Sequence, residues 1–132
     1  MPKDQVHDHA SELAAVEETL QTYFDGLYEG DTARLAQAFH PASHLYSVGE
    51  DGKAADMPRQ AWLDMVGGRP SARARGLERG DRIVSIDFSS PTSAFAKVQC
   101  QLPPRYFTDY LSLLKIEGRW QVIAKSFTTV TK

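Results

Sequence analysis

Tyr106-Phe107-Thr108-Asp109-Tyr110-Leu111-Ser112-Leu113-Leu114-Lys115-Ile116-Glu117-Gly118-Arg119-Trp120-Gln121-Val122 decides the fold. Its side chains alternate with period two, Glu117-Gly118 interrupts them, and the alternation resumes, which is the pattern of two antiparallel strands joined by a tight turn. Working backward, Arg82 to Phe88 and Thr92 to Leu102 alternate in the same way, with Ser89-Ser90-Pro91 and Pro103-Pro104 as punctuation. Arg119 to Val130 completes a run of four strands. Both faces of the last two carry apolar residues. Leu111 and Leu113 alternate with Tyr110, Leu114 and Ile116, while Trp120 and Val122 alternate with Ile123 and Phe127. Neither face is therefore expected to be fully wet, and the second is expected to meet another copy of the chain.

Upstream, the period is 3.6. Leu13, Val16, Leu20, Tyr23, Phe24 and Leu27 form one helix face, with Asp8 or Ser11 as N-cap and Gly30 as the stop. Asp31 opens a second, short helix through Leu35, Ala38 and Phe39, which His40-Pro41 ends. His44 to Val48 reads as a strand, Gly49 to Gly52 as a turn, and Lys53 to Asp56 as a return strand. Pro58 then starts a third helix bearing Ala61, Trp62, Met65 and Val66, stopped at Gly67-Gly68. The layout predicts an α+β domain over 11–132, with three N-terminal helices against a curved antiparallel sheet, preceded by a flexible polar lead over 1–10.

Composition narrows the function classes. Of the 132 residues, 42% are hydrophobic and 24% charged, an ordinary globular balance, and the net charge of −2 gives no reason to expect nucleic acid as partner. No apolar run approaches the ~20 residues of a membrane span. The polar start lacks a signal-peptide core, and the lone Cys100 rules out an internal disulfide, so a cytoplasmic location is expected. No phosphate loop, zinc spacing or nucleophile elbow is visible, and no cofactor or metal is expected. His7 and His9 with Asp8 lie in the lead, where a preformed metal site is not expected.

The element order, with Tyr23, the Gly30-Asp31 break, His40-Pro41 and the segment from Asp109 to Trp120, resembles the nuclear-transport-factor-2-like superfamily over roughly residues 11–130. Within it the chain is similar to the branch named putative lumazine-binding proteins, close to the polyketide-cyclase (SnoaL-like) proteins. The resemblance implies a cone-shaped (cystatin-like) half-barrel, a pocket at its wide end, and homodimers formed through the sheet. The branch name is not carried over as the identity of the ligand.

Asp109 shares a strand face with Phe107, Leu111 and Leu113. A carboxyl desolvated there favours its protonated form and could donate a hydrogen bond or exchange a proton, unless it is paired with a cation such as Lys125. Tyr23 precedes Asp31 by eight residues. Ketosteroid isomerases of the resembled superfamily place an oxyanion-hole tyrosine at that offset and a protonated aspartic acid near Asp109, which implies two donors suited to a carbonyl oxygen; the other reading of Tyr23, on the apolar face of its helix, is a core residue with its hydroxyl satisfied. The isomerases' catalytic aspartate falls at Ser47, which cannot shuttle a proton. His40 is a third candidate catalytic group and His44 a weaker one. Tyr46, Trp62, Met65, Phe88, Phe107 and Phe127 are the candidate ligand-lining residues. Cys100 alternates with Val98 and Leu102 and reads as buried. Arginines 69, 73, 75, 79 and 82, against Glu78 and Asp81, form either a solvated loop or a guide for an acidic ligand. Two donors without a base describe a small-molecule-binding protein. The alternative is an isomerase, cyclase or dehydratase acting on a carbonyl-bearing ligand, with Asp109 as acid or base. A third class, an interaction domain, predicts no open cavity beside Asp109.

Overall fold

The computed structural model describes residues 8–132. Helix α1 spans His9–Glu29, α2 Thr32–Ala38, β1 Phe39–Val48, β2 Ala54–Pro58, α3 Arg59–Gly67, β3 Arg82–Ser90, β4 Ser93–Leu102, β5 Arg105–Ile116 and β6 Arg119–Thr131. The Asp8 carboxylate caps α1 through the Ala10 N–H, so helix begins inside the stretch expected to be a flexible lead; residues 1–7 of that lead lie outside the described residues. Gly30 ends α1 in the left-handed conformation, φ 66°, and a Cβ there would also strike Ser71. Asp31 immediately restarts the chain as α2 by accepting from the Ala33 and Arg34 N–H groups.

The six strands form one sheet in the order β2-β1-β6-β5-β4-β3. It is antiparallel except between β1 and β6, which run parallel. Register shifts in β1, β3 and β6 bend it, and the helices pack on its concave face. Val16, Leu20, Tyr23 and Phe24 from α1 meet Val98, Leu111, Leu113 and Val122 from the sheet in one buried core. Glu12 rather than Leu13 takes the first fully inward position of α1.

Three expectations need correction. Phe39 and His40 belong to β1 rather than to the second helix, because Phe39 already has extended backbone as the cap of α2. Pro58 is the N-cap of α3, not its first turn, and Leu63 is buried where Ala61 is exposed. In β6 the pairing jumps from Ser112–Ala124 to Leu113–Val122, so Ile123 is an extra residue. That bulge reverses the strand's parity. Phe127, expected opposite to Trp120 and Val122, therefore shares their concave face.

Candidate active site

Three elements converge on one buried hydrogen-bond chain. Tyr23 projects from α1, Asp109 from β5, and Lys125 from β6 diagonally across the β5–β6 ladder. The Tyr23 hydroxyl donates to Asp109 Oδ2 at 2.6 Å, and Lys125 Nζ donates to the Tyr23 oxygen at 2.9 Å. Nζ also stands 3.7 Å from Asp109 Oδ2. Asp109 and Tyr23 are 0% exposed and Lys125 6%. Isolated charges at such depth are costly, and mutual pairing is what makes them tolerable. Lys125 is further enclosed by the rings of Tyr23, Trp62 and Phe127, whose centroids lie 5.2, 5.2 and 4.9 Å from Nζ.

Above this chain opens a cavity of about 290 Å³. Tyr23 and Lys125 form its floor, with Cys100 beside them; Leu27, Leu45, Trp62, Leu102, Phe107 and Phe127 supply apolar walls. Met65, 43% exposed, stands with Arg69, Arg105 and Thr129 toward its open side. Asp109 is behind the floor and does not line the space. Its proton acceptor Oδ2 serves Tyr23, while Oδ1 is buried without a hydrogen-bond partner among the described residues. Lys125 has three N–H donors and one hydrogen-bond acceptor among the described residues, so two donors remain beside the cavity.

Burial, then the charge of Asp109, holds the Tyr23 phenol well above its usual pKa. Burial likewise pushes the Cys100 thiol up to about 12, with the Asp109 charge adding to it. Both groups are kept protonated near neutrality, so neither is an activated nucleophile.

Of the six residues expected to line a ligand, Trp62, Met65, Phe107 and Phe127 line the cavity. Tyr46 does not: Leu45 and Ser47 take the concave side of β1, leaving Tyr46 on the convex side, where it stacks on His44 at 5.9 Å. Phe88 packs edge-on against Trp120 and His9, away from the cavity. His40 is not brought to the site either; its Nδ1 accepts the Ala42 N–H within β1. His44 pairs with Asp56 at 2.6 Å. Ser47 does line the cavity, at the position where the resembled isomerases hold an aspartate. Of the two readings of Tyr23, a donor to a ligand and a core residue with its hydroxyl satisfied, the geometry matches the second, its proton being committed to Asp109. Lys125 is the donor that sequence reasoning undervalued, naming it only as a partner for Asp109. The available signal was a lysine inside the apolar run Val122-Ile123-Ala124-Lys125-Ser126-Phe127, and the bulge hid which way it faces. Arg105 carried no such signal. Among the described residues no three His, Cys, Asp or Glu side chains gather as a metal group, and His7 lies outside them. No helix among those residues is long and apolar enough to cross a membrane.

Comparison with known proteins gives this geometry a context. A protein described as aldolase FrzH from Cladobotryum sp is 27% identical over 123 residues, covering 92% of this chain and 94% of that one. A nuclear-transport-factor-2-like protein of unknown function from Shewanella baltica OS155 superposes with a TM-score of 0.84 at 28% identity, covering 96% and 99% of the two chains. A similar protein from Silicibacter pomeroyi DSS-3 gives 0.82 at 21% identity, covering 94% and 100%. Less similar solved structures, among them a ketosteroid isomerase-like protein, a scytalone dehydratase-like protein and a cystatin-like fold protein, share the fold alone. The family model described as "Putative lumazine-binding" matches residues 11–128, nearly the whole chain, and the chain belongs to that family.

Proposed function

We propose that the cavity receives one small organic molecule and holds its carbonyl oxygen against Lys125. The observation behind this is a buried ammonium with two spare donors at the floor of an apolar space. A charged donor in a desolvated site binds a carbonyl oxygen more strongly than a neutral one does. Asp109 and Tyr23 act as positioning residues. Asp109 balances the lysine's charge, and Tyr23 fixes Nζ so that its remaining hydrogens meet the ligand. Trp62, Phe107 and Phe127 give the ligand's apolar body its walls.

A homodimer through the convex sheet face belongs to the same proposal. Phe95 and Tyr110 stack there at 5.7 Å while each stays more than two-fifths exposed, next to Tyr46 and Val48. The cytoplasm is the proposed compartment, which suits a chain whose single thiol has no partner to pair with.

Turnover is the second reading, favoured by the likeness to a protein described as an aldolase. An ammonium that holds a carbonyl also stabilises the enolate formed from it. Lys125 would then carry the electrophilic role, with the proton acceptor to be found elsewhere, since Ser47 cannot serve. The native protein separates the readings: turnover of a bound carbonyl compound, lost in Lys125→Met/Asp109→Asn, supports the enzyme, and binding without turnover supports binding alone.

The test of the pocket itself is a titration with ethyl 2-oxo-4-phenylbutanoate followed by ¹⁵N and methyl NMR. Shifts concentrated at Trp62, Met65, Cys100 and Phe127 are expected. Shifts confined to Tyr46, Phe95 and Tyr110 on the convex face would contradict the proposal.

A further inference from the structure

The arginines of the loop before β3 divide into two groups. Arg73 is bound to Glu29, and Arg79 to Asp25 and to Asp81 at 2.9 Å. Those charges are neutralised on the surface. Arg69 differs: it is half-buried at the cavity mouth, with no carboxylate within salt-bridge distance among the described residues. Beside it is Arg105, from the start of β5, exposed over the Phe107 ring at 5.8 Å, also on the cavity lining and also with no carboxylate within salt-bridge distance among the described residues. Arg75 joins both around a crevice of about 10 Å³ that abuts the cavity through Leu27 and Leu102. Burial and the neighbouring Arg105 and Arg75 charges lower the Arg69 pKa, which records the same unrelieved crowding. The single carboxylate on the cavity lining among the described residues, Asp56, is bound to His44.

Resting on the carbonyl reading above, we infer that the cavity selects organic anions, carbonyl compounds bearing a carboxylate or comparable acid group, with Arg69 and Arg105 holding that group at the mouth. In a chain of net charge −2, Arg69 and Arg105 stand at the mouth of the space, and Lys125, its charge balanced by Asp109, stands at its floor. Such a cavity focuses a positive potential on whatever enters it. An anion relieves the repulsion between the two guanidiniums and gains the fork geometry that arginine offers to a planar carboxylate. Lys125 meets the other end of the same molecule. An oxo-acid with an apolar body satisfies all three features at once.

The experiment compares 2-oxo-4-phenylbutanoate with its ethyl ester by calorimetry. The acid is expected to bind the native protein roughly tenfold or more tightly, a preference that shrinks as salt is raised. In the Arg69→Gln/Arg105→Gln variant the acid should fall to the ester's affinity, while ester binding, which shows that the pocket is intact, stays unchanged. Equal affinities in the native protein, or a preference that survives in the variant, would overturn the inference and leave the carbonyl pocket standing. Failure of both compounds to bind the native protein would remove the pocket reading as well. A lone Arg105→Gln change giving a partial loss would support both arginines acting on one group; no loss would restrict the clamp to Arg69 and overturn the paired form.

Discussion

The concave face of the β5–β6 hairpin carries two lysine–carboxylate arrangements, one part-buried and one buried, and they are built differently. Near the narrow end, Lys115 donates to both oxygens of Glu12 at 2.9 Å, and the Trp120 indole donates to the same carboxylate at 3.4 Å. Near the wide end, Lys125 reaches its carboxylate mainly through Tyr23, leaving, among the described residues, Oδ1 of Asp109 without a hydrogen-bond partner and two lysine donors without an acceptor. The first arrangement is closed and joins α1 to the sheet. The second is left open beside a cavity. The arginines show the same contrast, with Arg73 and Arg79 neutralised on the surface and Arg69 and Arg105 unrelieved at the mouth. Completed polar pairs hold a fold together, whereas incompletely matched ones beside a cavity mark where a ligand is to complete them.

The largest effect expected from breaking this contrast is on stability. Lys125→Met leaves Asp109 buried without its counter-charge and should cost about 3–5 kcal/mol in urea unfolding, whereas adding Asp109→Asn should restore most of it. A single substitution costing under about 1 kcal/mol would show that the wide-end pair is as solvated as a surface bridge. Next comes alkaline pH. The unfolded chain releases the Cys100 proton near the ordinary 9.0 and the Tyr23 proton near 10.0, while the folded chain keeps the thiol proton to about 12 and the phenol proton well above its usual value. The folded state therefore holds more protons, so the stability these groups confer is complete below pH 9 and is lost as pH rises toward 12. Unfolding midpoints at successive pH values, with Cys100→Ala and Tyr23→Phe as comparisons, should show the slope flattening in each variant. A smaller effect follows Glu12→Gln, which keeps a hydrogen-bond acceptor for the partly exposed Lys115 and should cost about 1 kcal/mol, without changing ligand affinity. Smallest is Arg79→Gln, at about 0–1 kcal/mol and with no change in the acid-over-ester preference, in contrast to Arg69→Gln.

The fold was legible because its signals are local. Gly30 and Asp31 carry the stop and the cap that separate α1 from α2, and the period-two runs from Arg82 onward mark the sheet. Two members of the buried hydrogen-bond chain were legible too: Tyr23 and Asp109 meet, 86 positions apart, because each lies on the apolar face of its own element. What stayed hidden depends on long-range geometry. One extra residue at Ile123 inverts the parity of β6 and turns Lys125 and Phe127 inward. The β1–β6 pairing is parallel and could not be inferred from alternation within either strand. Arg69 and Arg105 come together only through the packing of α3 and its following loop beside β5, so charge counting over 69–82 saw one cluster where the molecule has two.

Lys125 is proposed as the ligand-facing donor, and the rest of the site is arranged around it. Calorimetric titration of ethyl 2-oxo-4-phenylbutanoate into the native protein and the Lys125→Met/Asp109→Asn variant addresses it directly, because the double change removes both buried charges together. A loss of roughly tenfold or more in affinity, with the far-ultraviolet spectrum and unfolding cooperativity retained, is the predicted result. Equal affinity in the two proteins would contradict the account.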